Sequence, residues 1–266
     1  RDMTDQEIEW MKDPEVEYVD AWWNSGVDYR MLYDMNQIPI VCRDYSPTHD
    51  HNISLRGGND KEQFFMSLGY YHQQGIFKFG PDETERINAR FNYNRELNKF
   101  FSVDMKMAYR QSNTLSPTMS INGKSALFDQ LFRYRLSYPI FLPETDDTKY
   151  YYFSSNPRVY PILKDGGEVK NRGDEFSGVF TLRAGNFVKG LTLSAIYSPR
   201  YVTGSTDGSY RTVEMWNRVR VGGRLNYPNT ASRDRSSTYG NNVQFLADYD
   251  FKIGDKNTFH ILGGYA

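Results

Sequence analysis

The chain has 266 residues, with 32 Lys and Arg against 33 Asp and Glu and a formal net charge of −1. That balance excludes a nucleic-acid binder working through a basic face. Mean hydropathy is −0.70, and the longest apolar run, residues 138–142, falls far short of the ~20 residues of a spanning helix. A bundle of transmembrane helices is therefore excluded as well. Aromatic residues nevertheless reach 16%, with 21 Tyr and 17 Phe, although a water-soluble core usually favours Leu, Ile and Val. The single cysteine, Cys42, excludes an internal disulfide and a thiolate metal site. Arg1 opens no basic, then apolar, leader pattern, and Ala266 falls inside what reads as a strand, so both ends read as cut points in something longer.

Residues 1–48 lack alternation. Thr4 and Glu7 have capping-box spacing at the start of a short helical run to Met11. Tyr18, Trp22, Trp23, Tyr29 and Tyr33 then lie among acids, and the region reads as an extracellular loop leading into the first strand near His49. From there period-two alternation dominates. Ile53 and Leu55 alternate with Asn52, Ser54 and Arg56. Phe64, Met66, Leu68 and Tyr70 alternate with Gln63, Ser67, Gly69 and Gln73, with Phe65 and Tyr71 as aromatics on the polar side. Ile87, Ala89, Phe91 and Tyr93 face away from Arg86, Asn88, Arg90 and Asn92. Phe101, Val103, Met105, Met107 and Tyr109 oppose Ser102, Asp104, Lys106 and Arg110. These four strands fill residues 49–114.

Residues 115–172 read as a long loop with one helical stretch at 125–135, where Ala126, Leu127, Leu131 and Phe132 have helical spacing before Pro139 stops it. Four more strands fill 173–266, carrying Phe176, Phe180 and Leu182; Leu191, Leu193, Ala195 and Tyr197; Val243, Phe245, Ala247, Tyr249 and Phe251; and Phe259, Ile261 and Tyr265. A second long loop lies at about 204–235. Short joins at 57–60, 94–99, 185–190 and 254–257 alternate with the longer ones. Tight turns at one end and long loops at the other are the topology of a transmembrane β-barrel.

A soluble sandwich is the competing fold, but it seldom carries loops longer than ~15 residues. The apolar faces here also end in Tyr or Phe, as suits the headgroup level of a bilayer. The predicted fold class is all-β: an antiparallel transmembrane β-barrel segment of about eight strands with long extracellular loops.

Little points to chemistry. His49 and His51 share a strand face, but no third metal ligand is evident near them. Gly123-Lys124-Ser125 has Thr118 where a phosphate-binding loop needs its first glycine. Arg172-Gly173-Asp174 and Asn52-Ile53-Ser54 are short matches that fall in strands. No nucleophile, base and orienting group stand together, so neither an enzyme nor a cofactor is expected. The candidate substrate-binding residues are lumen cations, Arg90, Arg110 and Arg183, and the loop aromatics Tyr150, Tyr151 and Tyr152.

One resemblance is carried by ordered motifs. His51-Asn52-Ile53-Ser54-Leu55-Arg56-Gly57-Gly58-Asn59-Asp60-Lys61 leads into Phe64-Phe65-Met66-Ser67-Leu68-Gly69-Tyr70-Tyr71. Gln74-Gly75-Ile76 and the run from Arg86 to Asn92 follow, then the run from Phe245 to Phe251 with Gly254, His260, Leu262 and Gly263. Together they resemble the barrel of SusC/RagA-type TonB-dependent outer-membrane transporters of Bacteroidetes. The resemblance implies a 22-stranded barrel with an internal plug, of which this chain would be a wall segment lacking the plug and the TonB-binding segment. It also implies a SusD-like surface lipoprotein as partner, energy from the TonB complex, contact with outer-membrane lipid, and a dimer of transporter–lipoprotein pairs. The cargo it implies is a nutrient, an oligosaccharide before a peptide. A soluble all-β carbohydrate-binding module and a small eight-stranded outer-membrane barrel of structural or adhesive role are the alternatives.

Overall fold

The computed structural model describes residues 5–10, 12, 18–21, 28–31, 36–118, 127, 130–132, 139–142, 147, 150–153, 159–254 and 257–266. A short helix α1 (Asp5–Trp10) precedes a hairpin of β1 (Tyr18–Ala21) and β2 (Asp28–Met31), which pair antiparallel. Strands of four residues are too short to display a period, which is why the sequence pattern passes over them. Thr4, Trp22, Trp23 and Tyr33 lie outside the described residues. Helix α2 (Ile38–Val41), with Pro39 in its first turn, leads into the main sheet.

That sheet has eight strands, each antiparallel to its neighbours, in the order β13-β12-β9-β8-β6-β5-β4-β3. The first four are β3 (Thr48–Gly58), β4 (Glu62–Gln74), β5 (Glu83–Glu96) and β6 (Phe101–Pro117). The second four are β8 (Gly167–Gly185), β9 (Leu191–Tyr210), β12 (Thr230–Ile253) and β13 (Asn257–Tyr265). Between β6 and β8 come β7 (Tyr152–Phe153) and α3 (Val159–Asp165); between β9 and β12 come β10 (Val213–Trp216) and β11 (Val221–Leu225).

The register keeps like side chains on one face. One rung runs Gly57, Phe64, Tyr93, Met105, Phe180, Tyr197, Val243, and another Val103, Leu182, Ala195, Phe245, Tyr265. On the opposite face Arg56, Phe65, Asn92, Lys106 and Val179 form a rung, as do Gln63, Asn94, Asp104 and Thr181. A one-residue slip in any strand would mix the two sets.

The apolar face is bare. Ile53 is 71% exposed, Leu68 51% and Phe245 55%, and Ile53, Leu55, Met66, Leu68, Phe91 and Phe176 border an open apolar trough of about 470 Å³. Every buried hydrophobic side chain among the described residues lies outside the eight strands. A sandwich would bury its apolar face on a second sheet; this sheet instead offers that face outward. A contiguous apolar surface of this extent is not stable in water, and hydrocarbon is the solvent it fits. The chain is thus an antiparallel β-barrel wall, an open arc of eight strands. No helix among the described residues is long and apolar enough to cross a membrane.

The belt ends where Tyr109 donates to Asp174 Oδ1 at 2.6 Å, with Gln111 and Arg172 also on that carboxylate. Past this level both faces of β8, β9 and β12 are polar, as in Ser232, Arg233, Asp234, Arg235 and Ser236 of β12. Since a tilted strand crosses a bilayer in about 9–11 residues, the 24-residue β12 overshoots it by a wide margin. The long joins are accordingly 118–166 and 211–229 rather than 115–172 and 204–235. Alternation vanishes where both faces meet water, and the strands continue beyond it.

The two ends are built differently. At one, Asn59 closes the β3–β4 turn by accepting from the amides of Lys61 and Glu62, next to Gly58 at φ 137°. Gly190, at φ 82°, packs where a Cβ would meet the Asp250 carbonyl, and its own carbonyl accepts from the Asp250 amide at 2.8 Å. At the other end the long joins fold together. Val41, Phe77, Leu127, Leu131, Val159, Ile162, Leu163, Val213, Met215 and Leu225 form one buried cluster. They come from the segment before β3 and from the β4–β5, β6–β8 and β9–β12 joins. Leu127, Gln130, Leu131 and Phe132 are the described part of the helix expected at 125–135. Strand β10 pairs antiparallel with β11 and parallel with β7. The Gly166 carbonyl ties the joins by accepting from Thr118 Oγ1, Asn226 Nδ2 and the Arg211 amide.

Candidate functional site

The inward face and the rim above it are the surfaces a solute would meet. Midway along β6, β8 and β9, Glu175 sits between two guanidiniums. Arg110 Nη2 lies 2.8 Å from its Oε2, and Arg200 reaches its Oε1 through Nε and Nη2, both at 2.9 Å. The three come together because β6 and β8 pair Arg110 with Glu175, while β8 and β9 pair Ser177 with Arg200, one diagonal away. Two cations on one anion leave an uncompensated positive charge. Arg90, opposite Ala108, stands diagonally from Arg110 on the same face, and Arg86 lies over the Tyr71 ring at 4.3 Å. This stretch of wall is cationic with an aromatic floor, suited to carboxylate, phosphate or a polarised hydroxyl.

Because Arg110 and Arg200 are both 63% exposed at the side chain, the cluster is solvated. Glu175→Gln is therefore expected to cost less than about 1 kcal/mol of stability while raising the positive charge of the wall. Unfolding of the protein in lipid vesicles measures the first part; a loss of several kcal/mol would show that the cluster holds the sheet together.

Arg183 is elsewhere on this face, opposite Ser102 and Ser194 near the tight turns. At that end Arg56, Gln63, Phe65, Asn92, Asn94 and Asp104 border a concavity of about 630 Å³. His260 lies between Asp250, 2.8 Å from Nδ1, and Asp248, 3.4 Å from Nε2.

The three loop tyrosines separate. Tyr150 is exposed at the rim. Tyr151 stacks on Trp216, centroids 4.6 Å apart and planes 27° apart. Tyr152 turns inward against Phe141 and Tyr160 and donates to Asp165. Burial, reinforced by that bond, pushes its hydroxyl well above the usual tyrosine range, so Tyr152 holds the rim and contributes no free hydroxyl. Cys42 bridges to Phe77 at the end of α2, and burial raises its thiol too, which marks it as packing.

The structure thus brings Arg90 and Arg110 together and leaves Arg183 and the tyrosines in two other places. Sequence reasoning missed Glu175 and Trp216. Glu175 was discoverable once β8 was paired with β6 in register; Trp216 had no local signal, because its strand pairs with β7 across the chain.

No family model matches the sequence, and no curated protein does. Solved structures do. The RagAB peptide importer in its open-open state superposes at a TM-score of 0.60 and 16% identity, over 99% of this chain and 29% of that one. A structure of the RagAB peptide transporter superposes at 0.58 and 18%, over 97% of this chain and 28% of that one. The chain therefore spans less than a third of the length of these transporter chains, and over that span it shares their fold.

Proposed function

We propose that the chain is part of the wall of an outer-membrane importer that carries an oligomeric nutrient inward without chemical catalysis. The carrying observation is the sheet's division into an unpartnered apolar outer face and a hydrated, cationic inner face, capped at one end by a folded rim. In this reading the protein resides in the outer membrane of a Gram-negative bacterium. Its energy comes through the TonB complex, and a SusD-like lipoprotein covers the rim as one half of a transporter–lipoprotein pair that can dimerise. The Tyr151–Trp216 stack and exposed Tyr150 support an oligosaccharide, whose apolar sugar faces stack on rings. A peptide is the second reading, favoured by the likeness to a peptide importer's fold and by the arginines on the inner wall.

The test is uptake by cells carrying or lacking the gene, offered labelled oligosaccharides or peptides, with the protein extracted in detergent alongside. Loss of one class of uptake on deletion, with a lipoprotein copurifying, is the expected result. Unchanged uptake of both classes, or a protein that is soluble without detergent, would overturn the reading.

A further inference from the structure

The chain has 4 histidines, and three of them are neighbours on the β3–β4 hairpin. His49 and His51 stand two apart on β3 and share its outward face, and the β3–β4 register sets His72 directly opposite His49. The His49 and His51 ring centroids are 6.4 Å apart with planes at 6°, and those of His49 and His72 are 6.1 Å apart at 15°. The group lies just beyond the apolar belt of Ile53 and Leu68, toward the end that carries the long joins. Glu83 Oε2 is 3.3 Å from His72 Nε2.

In the sequence a metal was unsupported because a third ligand was missing; the hairpin register supplies it. We propose that His49, His51 and His72 form an open site for a divalent transition-metal ion of the zinc, copper or nickel type, with Glu83 orienting the His72 ring. Imidazole nitrogens suit these ions, and a carboxylate on the second ring position of a ligating histidine is the usual outer support. Two histidines alternating on one strand with a third across the ladder present three nitrogens from one side, which leaves a position for water or an outside ligand.

As the side chains stand, no three His, Cys, Asp or Glu groups among the described residues converge on one point. With metal–nitrogen bonds of about 2.0–2.1 Å, three rings around one ion have centroids about 5 Å apart, so the His49–His51 and His49–His72 pairs must each close by roughly 1 Å and the diagonal His51 and His72 rings must turn toward each other. His49 and His51 are exposed and swing about their Cα–Cβ bonds without disturbing a packed neighbour. An ion held there clips β3 to β4, and binding the paired hairpin alone stabilises it by mass action.

The experiment uses the full-length protein without a polyhistidine tag, stripped with chelator in detergent. It is titrated with zinc chloride by calorimetry and with cobalt chloride by visible absorption. One saturable equivalent is expected, with tetrahedral cobalt bands. His49→Ala, His51→Ala and His72→Ala should each weaken zinc at least about tenfold, Glu83→Gln by about tenfold, and His260→Ala not at all. Absence of a saturable equivalent, or a triple His variant that binds as the parent does, overturns the proposal. If His72→Ala fails to fold, as shown by lost heat-dependent gel mobility, the exposed His51→Ala variant decides.

Discussion

Met105→Arg is expected to destabilise the protein in a bilayer by about 2–4 kcal/mol, the range for a cation at the lipid midplane of a β-barrel. Met105 sits on the outward face between Tyr93 and Phe180, with Met107 and Val103 beside it on the same strand face, so a guanidinium there would enter the lipid-facing side of the wall. One residue along, Lys106 faces inward, 62% exposed at the side chain and 3.6 Å from Asp104. Lys106→Gln should cost less than about 1 kcal/mol. Equilibrium unfolding in lipid vesicles compares the two. Equal losses at both positions would mean that the faces are wrongly assigned, since nothing but the side of the sheet distinguishes neighbours on one strand.

Leu163→Ala is expected to cost about 2–5 kcal/mol, the range for truncating a buried leucine, and to do so locally. Leu163 is 1% exposed at the centre of the rim cluster, and its α3 helix packs on the β4–β5 join, where its carbonyl lies closely over Gly80. The eight strands share no buried hydrophobic residue with that cluster. The loss should therefore appear as faster proteolysis and hydrogen exchange in residues 118–166 and 211–229, with the heat-dependent mobility of the barrel unchanged. Loss of the barrel itself would show that rim and wall fold as one unit.

The wall was legible because its two faces meet different solvents. Ile87, Ala89, Phe91 and Tyr93 had to differ from Arg86, Asn88, Arg90 and Asn92 if one side met lipid and the other water, and that difference is a local pattern. The same physics explains where legibility stopped. From Thr203 to Tyr210 and from Thr230 to Thr238 the paired strands carry mostly polar residues or glycine on both sides, so no alternation remained to mark them. Tyr150, Tyr151 and Tyr152 are identical in sequence, yet the chain sends one onto Trp216, 65 positions on, and one against Phe141, Tyr160 and Asp165; partners outside the run decide. The histidine trio falls between these cases. Closing the tight turn at Asn59 in register brings His72 opposite His49, so the pairing was implicit in the hairpin although the separate strands did not display it.

The rim cluster draws on residues from Val41 to Leu225, and this ties its closure to the register of the strands. Its members come from joins far apart along the chain and are brought together by the strands between them. A strand that paired two residues out of step would keep its lipid and water faces correct, and the belt would not register the error. Its loop, however, would arrive about 7 Å from its place, too far for Leu163 or Met215 to reach their neighbours. The rim thus proofreads what the belt cannot: lipid selects the face of each strand, and closure of the loops selects its step.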